Sequence, residues 1–308
     1  MGNVRLYGAT SGYAEVVPTA ASGTSTLTLP AATGTLTMSS ATEPGSPSTG
    51  DTWLDTSAAV PKWKYWSGSA WTIFSGASAA NFTDTATGTY TDGDVDYKYV
   101  TYNSSGTLTV DTAGDAEVFV LAGGGGSGDT GGGAGGLLQI PVSLTVQTYT
   151  ITVGAGGAVR TNGGDSTITG AGLNAGLAIA LGGGAGTIAW AQGIAGGCGG
   201  GAASTIGGAA LYGQGYRGGQ AAAGTYSGGG GQGGAGLDGT NQGSGGPGIQ
   251  STFTGTSVNR AAGGAGYGPT TFANGTYWTG VNNSGDGGSR QPAQAAGWSG
   301  VVIVRVVV

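Results

Sequence analysis

Residues 117–136 read EVFVLAGGGGSGDTGGGAGG. An apolar run, Val118 to Leu121, passes straight into glycine, and the chain stays glycine-rich until it closes on GVVIVRVVV at 300–308. Residues 122–308 hold 59 of the 72 glycines; residues 1–121 hold 13. Glycine in regular structure costs roughly 0.5–1 kcal/mol relative to alanine, a handicap on the order of 30–60 kcal/mol over such a region. Order there requires a geometric reason. Disorder is the simpler answer on glycine and proline content, but a disordered chain also needs high charge and low hydrophobicity. This region has only four acids and five arginines, with many Ala, Ile, Leu, Val, Tyr and Trp.

The remaining answer is backbone packed on backbone. Without Cβ atoms, extended polyproline-II-like segments can lie side by side and bond to one another through N–H and C=O groups, which meets the requirement that buried backbone groups be paired. The tracts GGGGSGDTGGGAGG and GGGGQGGAG, separated by short connections carrying larger residues, fit this arrangement; no strict G-X-Y period marks collagen. EVFVLA and VVIVRVVV are expected to be neighbouring framework strands with the glycines as packed filling between them. Strands are also expected near 97–102, 106–110 and 116–121, with NSSG (103–106) as a turn. The predicted class is all-β with polyglycine-like packed segments.

The totals exclude much chemistry. There is no His, so no His base, Ser-His-Asp triad or His metal ligand exists. The single Cys198 cannot form an intramolecular disulfide. Charged residues make up 8% of the chain and the net charge is −6, with three Lys and six Arg; that opposes a nucleic-acid footprint. No apolar run approaches the roughly 18 residues of a membrane span, and MGNVRLYGAT carries no signal-peptide core. Synthesis in a reducing cytoplasm, without membrane insertion, is therefore expected. GQGYRG (213–218) satisfies G-x-G-x-x-G, but a dinucleotide site needs a strand before it and a helix after it, and GQAAAGTYSGGGG cannot form a normal helix.

Three segments emerge. In 1–40, GYAEVVPTA, TSTLTLP and TGTLTM read as short strands, TSTLTLP by period-2 alternation. Forty residues bury too little alone, so copies of the chain are expected to pack together. In 41–76, TWLDT, KWKYW and WTIF read as three strands with SGSA (67–70) as a hairpin turn. Trp53, Trp63, Trp66 and Trp71 are more economically a small core than a sugar platform. The third segment is 77–308. Within it DGDVD (92–96) fails as a calcium loop, because Tyr97 and Asn103 stand where Gly and Glu are needed, and is read as a charged strand edge.

The stretch Gly12 to Leu36, with its Gly-Tyr strand and TLTLPAATGTL, resembles a segment common in phage tail-fibre proteins. From YKYVTYNSSGTLTVDTAGDAEVFVLAGGGG through TYTITVGAGG and GGDSTI to GWSGVVIVRV, the chain looks like the glycine-rich domain of phage tail fibres and adhesins. The resemblance implies an elongated homotrimeric fibre. It also implies attachment to other virion proteins (tail, baseplate or capsid) through the N-terminal region, and contact with a host surface glycan or outer-membrane protein. No cofactor and no metal is expected. Loops on a rigid scaffold carry binding, so Trp190, Tyr212, Tyr216, Tyr226, Tyr267, Tyr277 and Trp278 are the candidate receptor contacts. A glycan depolymerase would need a carboxylate pair; past residue 121 only Asp129, Asp165, Asp238 and Asp286 remain, each in a glycine-rich stretch where Asp is an ordinary turn residue. The alternative to an adhesin is a purely structural capsid or tail fibre.

Overall fold

The computed structural model describes residues 4–7, 13–16, 41–47, 49, 51–55, 57, 62–73, 79–93, 95–171, 173, 177–188, 190–203, 205–222, 225–239, 243–267, 279–290 and 293–308. The chain divides into two compact units, Met1–Ser75 and Gly76–Val308. Regular structure among the described residues is strand throughout.

In the first unit β1 (Val4–Tyr7) pairs antiparallel with β2 (Tyr13–Val16). The second of these falls inside the expected GYAEVV strand; TSTLTLP and TGTLTM lie outside the described residues. A three-stranded antiparallel sheet follows from the Trp-rich stretch: β3 (Thr52–Asp55), β4 (Lys62–Trp66) and β5 (Trp71–Ile73). The Ser67 N–H donates to the Ala70 carbonyl at 3.0 Å, closing the SGSA turn. Trp53 is buried and meets Trp71 edge-on at 5.4 Å, and Trp71 meets Trp66 at 5.6 Å. These rings form a core, as expected; the Trp63 side chain lies outside the described residues.

The second unit is a sandwich with a glycine bundle extending from one end. Its strands are β6 (Asn81–Phe82), β7 (Gly88–Asp92), β8 (Val95–Tyr102), β9 (Gly106–Thr112), β10 (Gly114–Leu121), β11 (Leu137–Leu144), β12 (Gln147–Thr152), β13 (Ser166–Thr169), β14 (Leu177–Ala180), β15 (Ile249–Ser251), β16 (Val258–Arg260) and β17 (Val301–Val307). One sheet runs β11-β10-β17-β8-β7 and the other β14-β13-β12-β9-β6. Asp92 ends β7 opposite Val95, and β7 is the edge strand of its sheet, so the strand-edge reading stands.

Alternation sets the layers. Val118, Val120, Val302 and Val304 of the first sheet meet Leu108, Val110, Tyr149, Ile151 and Ile168 of the second. On the other face of the first sheet, Phe119, Leu121, Val301 and Ile303 pack with Ala134, Cys198, Phe253 and Ala261 from the bundle and the β15–β16 hairpin. Both faces of this sheet are covered, which is why its central strands read as unbroken apolar runs. The second sheet has one covered face, and TLTV and YTIT alternate accordingly.

β10 and β17 are neighbours in register, Phe119 opposite Ile303. The glycines therefore do not lie between them. They continue from the strand ends, starting where the Ala122 N–H donates to the Gly136 carbonyl at 3.0 Å and extends the β10–β11 ladder. Ser166, fully buried, clamps this seam: its hydroxyl donates to the Leu121 carbonyl at 2.8 Å and accepts the Gly154 N–H at 2.9 Å.

Beyond the seam the bonding period changes from two to three. Gly123 donates to Gly164 and Gly126 to Thr161, both on one segment. Gly124 donates to Trp298 and Ser127 to Ala295, on a second; Gly125 donates to Gly133 and Gly128 to Thr130, on a third. Three donor directions repeating every three residues define a polyproline-II-type helix bonded to its neighbours. The return tract repeats the pattern, Gly131 and Ala134 donating to Ser227 and Gly230, and Gly132 and Gly135 to Gly288 and Gly285. This is the polyglycine packing that the composition implied.

Candidate functional site

The bundle has two kinds of surface that hold exposed aromatics. At the far ends of the tracts, away from the sandwich seam, Asp129, Arg160, Tyr226, Tyr267, Arg290 and Gln294 come together. The Tyr267 N–H donates to the Asp129 carbonyl at 2.7 Å. Its ring packs edge-on against Tyr226 at 5.7 Å and carries the Arg290 guanidinium 4.8 Å from its centroid. Asp129 faces Arg290 at 3.6 Å and accepts from Gln294 at 3.3 Å, and Gln294 in turn accepts from Arg160 at 3.2 Å. Half of Tyr267 stays open to solvent. The result is a tip plate with an aromatic face, a cation and amide and carboxylate oxygens, suited to stacking on a ring and to hydrogen bonding around it.

Trp190, three residues past the Thr187 carbonyl that accepts from the Asp129 and Thr130 N–H groups, is 73% exposed and at a positive φ of 68°. A bulky residue in this conformation is unusual. Tyr212 and Tyr216 belong elsewhere. They line a cleft of about 820 Å³ with Ile206, Leu211 and Arg217 on the flank of the bundle, and Tyr212 is fully exposed. Tyr277 and Trp278 lie outside the described residues. The structure thus brings Tyr226 and Tyr267 into contact and Tyr212 and Tyr216 into one cleft. Arg160, Arg290 and Gln294 were missed by sequence reasoning. Their signal was scarcity: five arginines serve the whole glycine region, and long polar side chains there have few structural duties.

The reading of the late acids as ordinary turn residues holds for Asp129, in the bend at 128–130, and needs correction for Asp286 and Asp165. Asp286 is fully buried; its carboxylate accepts the N–H groups of Ala262, Thr279 and Gly280 and the Thr279 hydroxyl, at 2.7–3.0 Å. Asp165 accepts the Gly182 N–H at 2.8 Å and Asp238 the Gln220 N–H at 2.8 Å. These carboxylates terminate donors that the bundle leaves over. Among the described residues no group of three or more His, Cys, Asp and Glu side chains could hold a metal ion. GQGYRG has no strand before it or helix after it; Gly213 and Gly215 lie in a turn at positive φ.

A family model described as a glycine-rich domain matches residues 101–307, from within β8 to the last residue of β17. The chain belongs to the glycine-rich domain family. No curated protein and no solved structure matches it. The glycine-rich domain as matched omits β6 and β7. These strands form one edge of each sheet, so the folded unit is wider than the family span.

Proposed function

We propose that this protein is a phage virion component, a homotrimeric tail fibre whose glycine-rich domain recognises the host-cell surface. The observation that carries the reading is the tip plate. A bundle bonded in three directions holds Tyr226, Tyr267 and Arg290 in fixed relation, which is how binding loops on a rigid scaffold gain affinity at low ordering cost. The tail-fibre-like stretch Gly12 to Leu36 supports attachment to other virion proteins through the N-terminal part. A host glycan or the loops of an outer-membrane protein would meet the tips. No catalytic role is assigned, because each late carboxylate is occupied with backbone donors or an arginine.

The test is saturable binding of the labelled full chain to candidate host cells, with sedimentation reporting the oligomer. A trimer is expected, whose binding disappears on a host lacking the receptor and weakens at least tenfold in Tyr267→Ala. A folded trimer that binds no host cell would remove the adhesin reading and leave a structural fibre.

A further inference from the structure

The sandwich holds a lysine, a carboxamide and a carboxylate in sequence across its two sheets. Lys98 lies on β8 of the first sheet, opposite Thr89 and Val306. Asn81 lies on β6, an edge strand of the second sheet, and Asp111 on the adjoining β9. Lys98 Nζ donates to Asn81 Oδ1 and, at 3.3 Å, to the Phe82 carbonyl. The buried Phe82 ring lies 4.3 Å from the same nitrogen. On its other side the carboxamide donates from Nδ2 to Asp111 Oδ2 at 3.0 Å. The lysine nitrogen is therefore held at the oxygen of an amide, one bond from its carbonyl carbon, and the nitrogen that would depart already faces a proton carrier. Geometry of this kind is the first requirement for acid–base-assisted attack.

We propose that Lys98 and Asn81 join in an intramolecular isopeptide bond that staples the two sheets together. Nζ attacks Asn81 Cγ; the Nζ–Cγ bond forms and the Cγ–Nδ2 bond breaks. The lysine enters as an ammonium and an ammonium ion leaves, so charge and protons balance without an oxidant or a cofactor. The proton that Nζ releases is carried by water to the exposed Asp111 carboxylate, which delivers it to the departing nitrogen that it already holds. Amide exchange is slow between free molecules, but groups held in a near-attack geometry reach effective molarities of about 10⁵–10⁸ M. Here the sheet registers hold both partners. The bond stands independently of the host-recognition reading.

Trypsin gives the test. In the linked chain cleavage after Lys98 is blocked, so the folded, then denatured full-length protein yields one peptide from Tyr65 to Arg160, lighter by one ammonia. Asparagine cyclisation at Asn162–Gly163 or Asn274–Gly275 also loses ammonia, but both sites lie outside that peptide. Lys98→Arg is expected to restore cleavage and the full mass, and Asp111→Asn to leave most of the chain unlinked. Cleavage after Lys98 in the wild type, giving 65–98 and 99–160 at their sequence masses, overturns the proposal. So does an ammonia loss in either fragment that persists in Lys98→Arg, because it would then belong to an asparagine alone.

Discussion

At the residue scale the controlling quantity is the distance between backbones. A Cβ at Gly126 would stand 1.9 Å from the Ala158 carbonyl oxygen, and one at Gly182 equally close to the Gly163 carbonyl oxygen. Neither neighbour can withdraw without breaking bonds of its own. Gly126→Ala is therefore expected to destabilise the second unit by about 3 kcal/mol or more, at the upper end of overpacking effects. Gly106→Ala, whose Cβ would meet only the Tyr102 ring at 3.6 Å, is expected to stay within about 0.5 kcal/mol; thermal unfolding of the pair decides. Asp286→Ala strands three N–H groups and is expected to cost about 3–5 kcal/mol.

Cys198 gives a pH signature. Burial pushes its thiol up from 9.0 to about 12. The folded state thus holds its proton where the unfolded state has lost it. The stability contribution is complete below pH 9 and declines as pH rises toward 12. Alkylation by iodoacetamide at pH 8 is expected to be negligible until the unit unfolds; rapid labelling of the native protein would contradict the burial.

At the element scale, strands and tracts differ in how far sequence specifies them. TLTV and YTIT were legible because one face of their sheet is covered and period two survives. EVFVL and VVIVRVVV were legible as framework strands for the opposite reason, both faces being buried. Their adjacency followed from bracketing the same region. The routing of the tracts was not legible. Gly124 donates to Trp298 while Gly125 donates to Gly133, and no side chain distinguishes the two glycines. Ser166 at the seam and Asp286 in the bundle could be recognised only once the leftover donors were known.

In the Trp sheet, Lys64 pairs with Asp55 at 2.7 Å. The Lys64 hydrogen bond, then those from Ser57, hold the Asp55 carboxyl down at about 2, from 3.8. Its folded pKa is depressed, so its contribution is present above about pH 4 and is lost as pH falls through 2. Lys64→Met is expected to return the titration of Asp55, followed by carboxyl NMR shifts, toward its ordinary range.

At the scale of the whole molecule, the candidate site was half legible. Aromatics in a glycine region pointed to loops, and five of the seven fall on described surface positions. The tip plate itself was not foreseeable: Tyr267 is joined to Asp129 and Arg290 by tracts whose side-by-side order is set by backbone bonds alone. The bundle is the premise on which the tip geometry rests. Hydrogen exchange of the full chain, resolved to the peptides covering 122–136, 182–187 and 197–203, tests it most directly. Amide protection there is expected to be comparable with that of β10 and β17, although these segments are neither α-helix nor β-sheet. Exchange at the rate of an unstructured chain would contradict it.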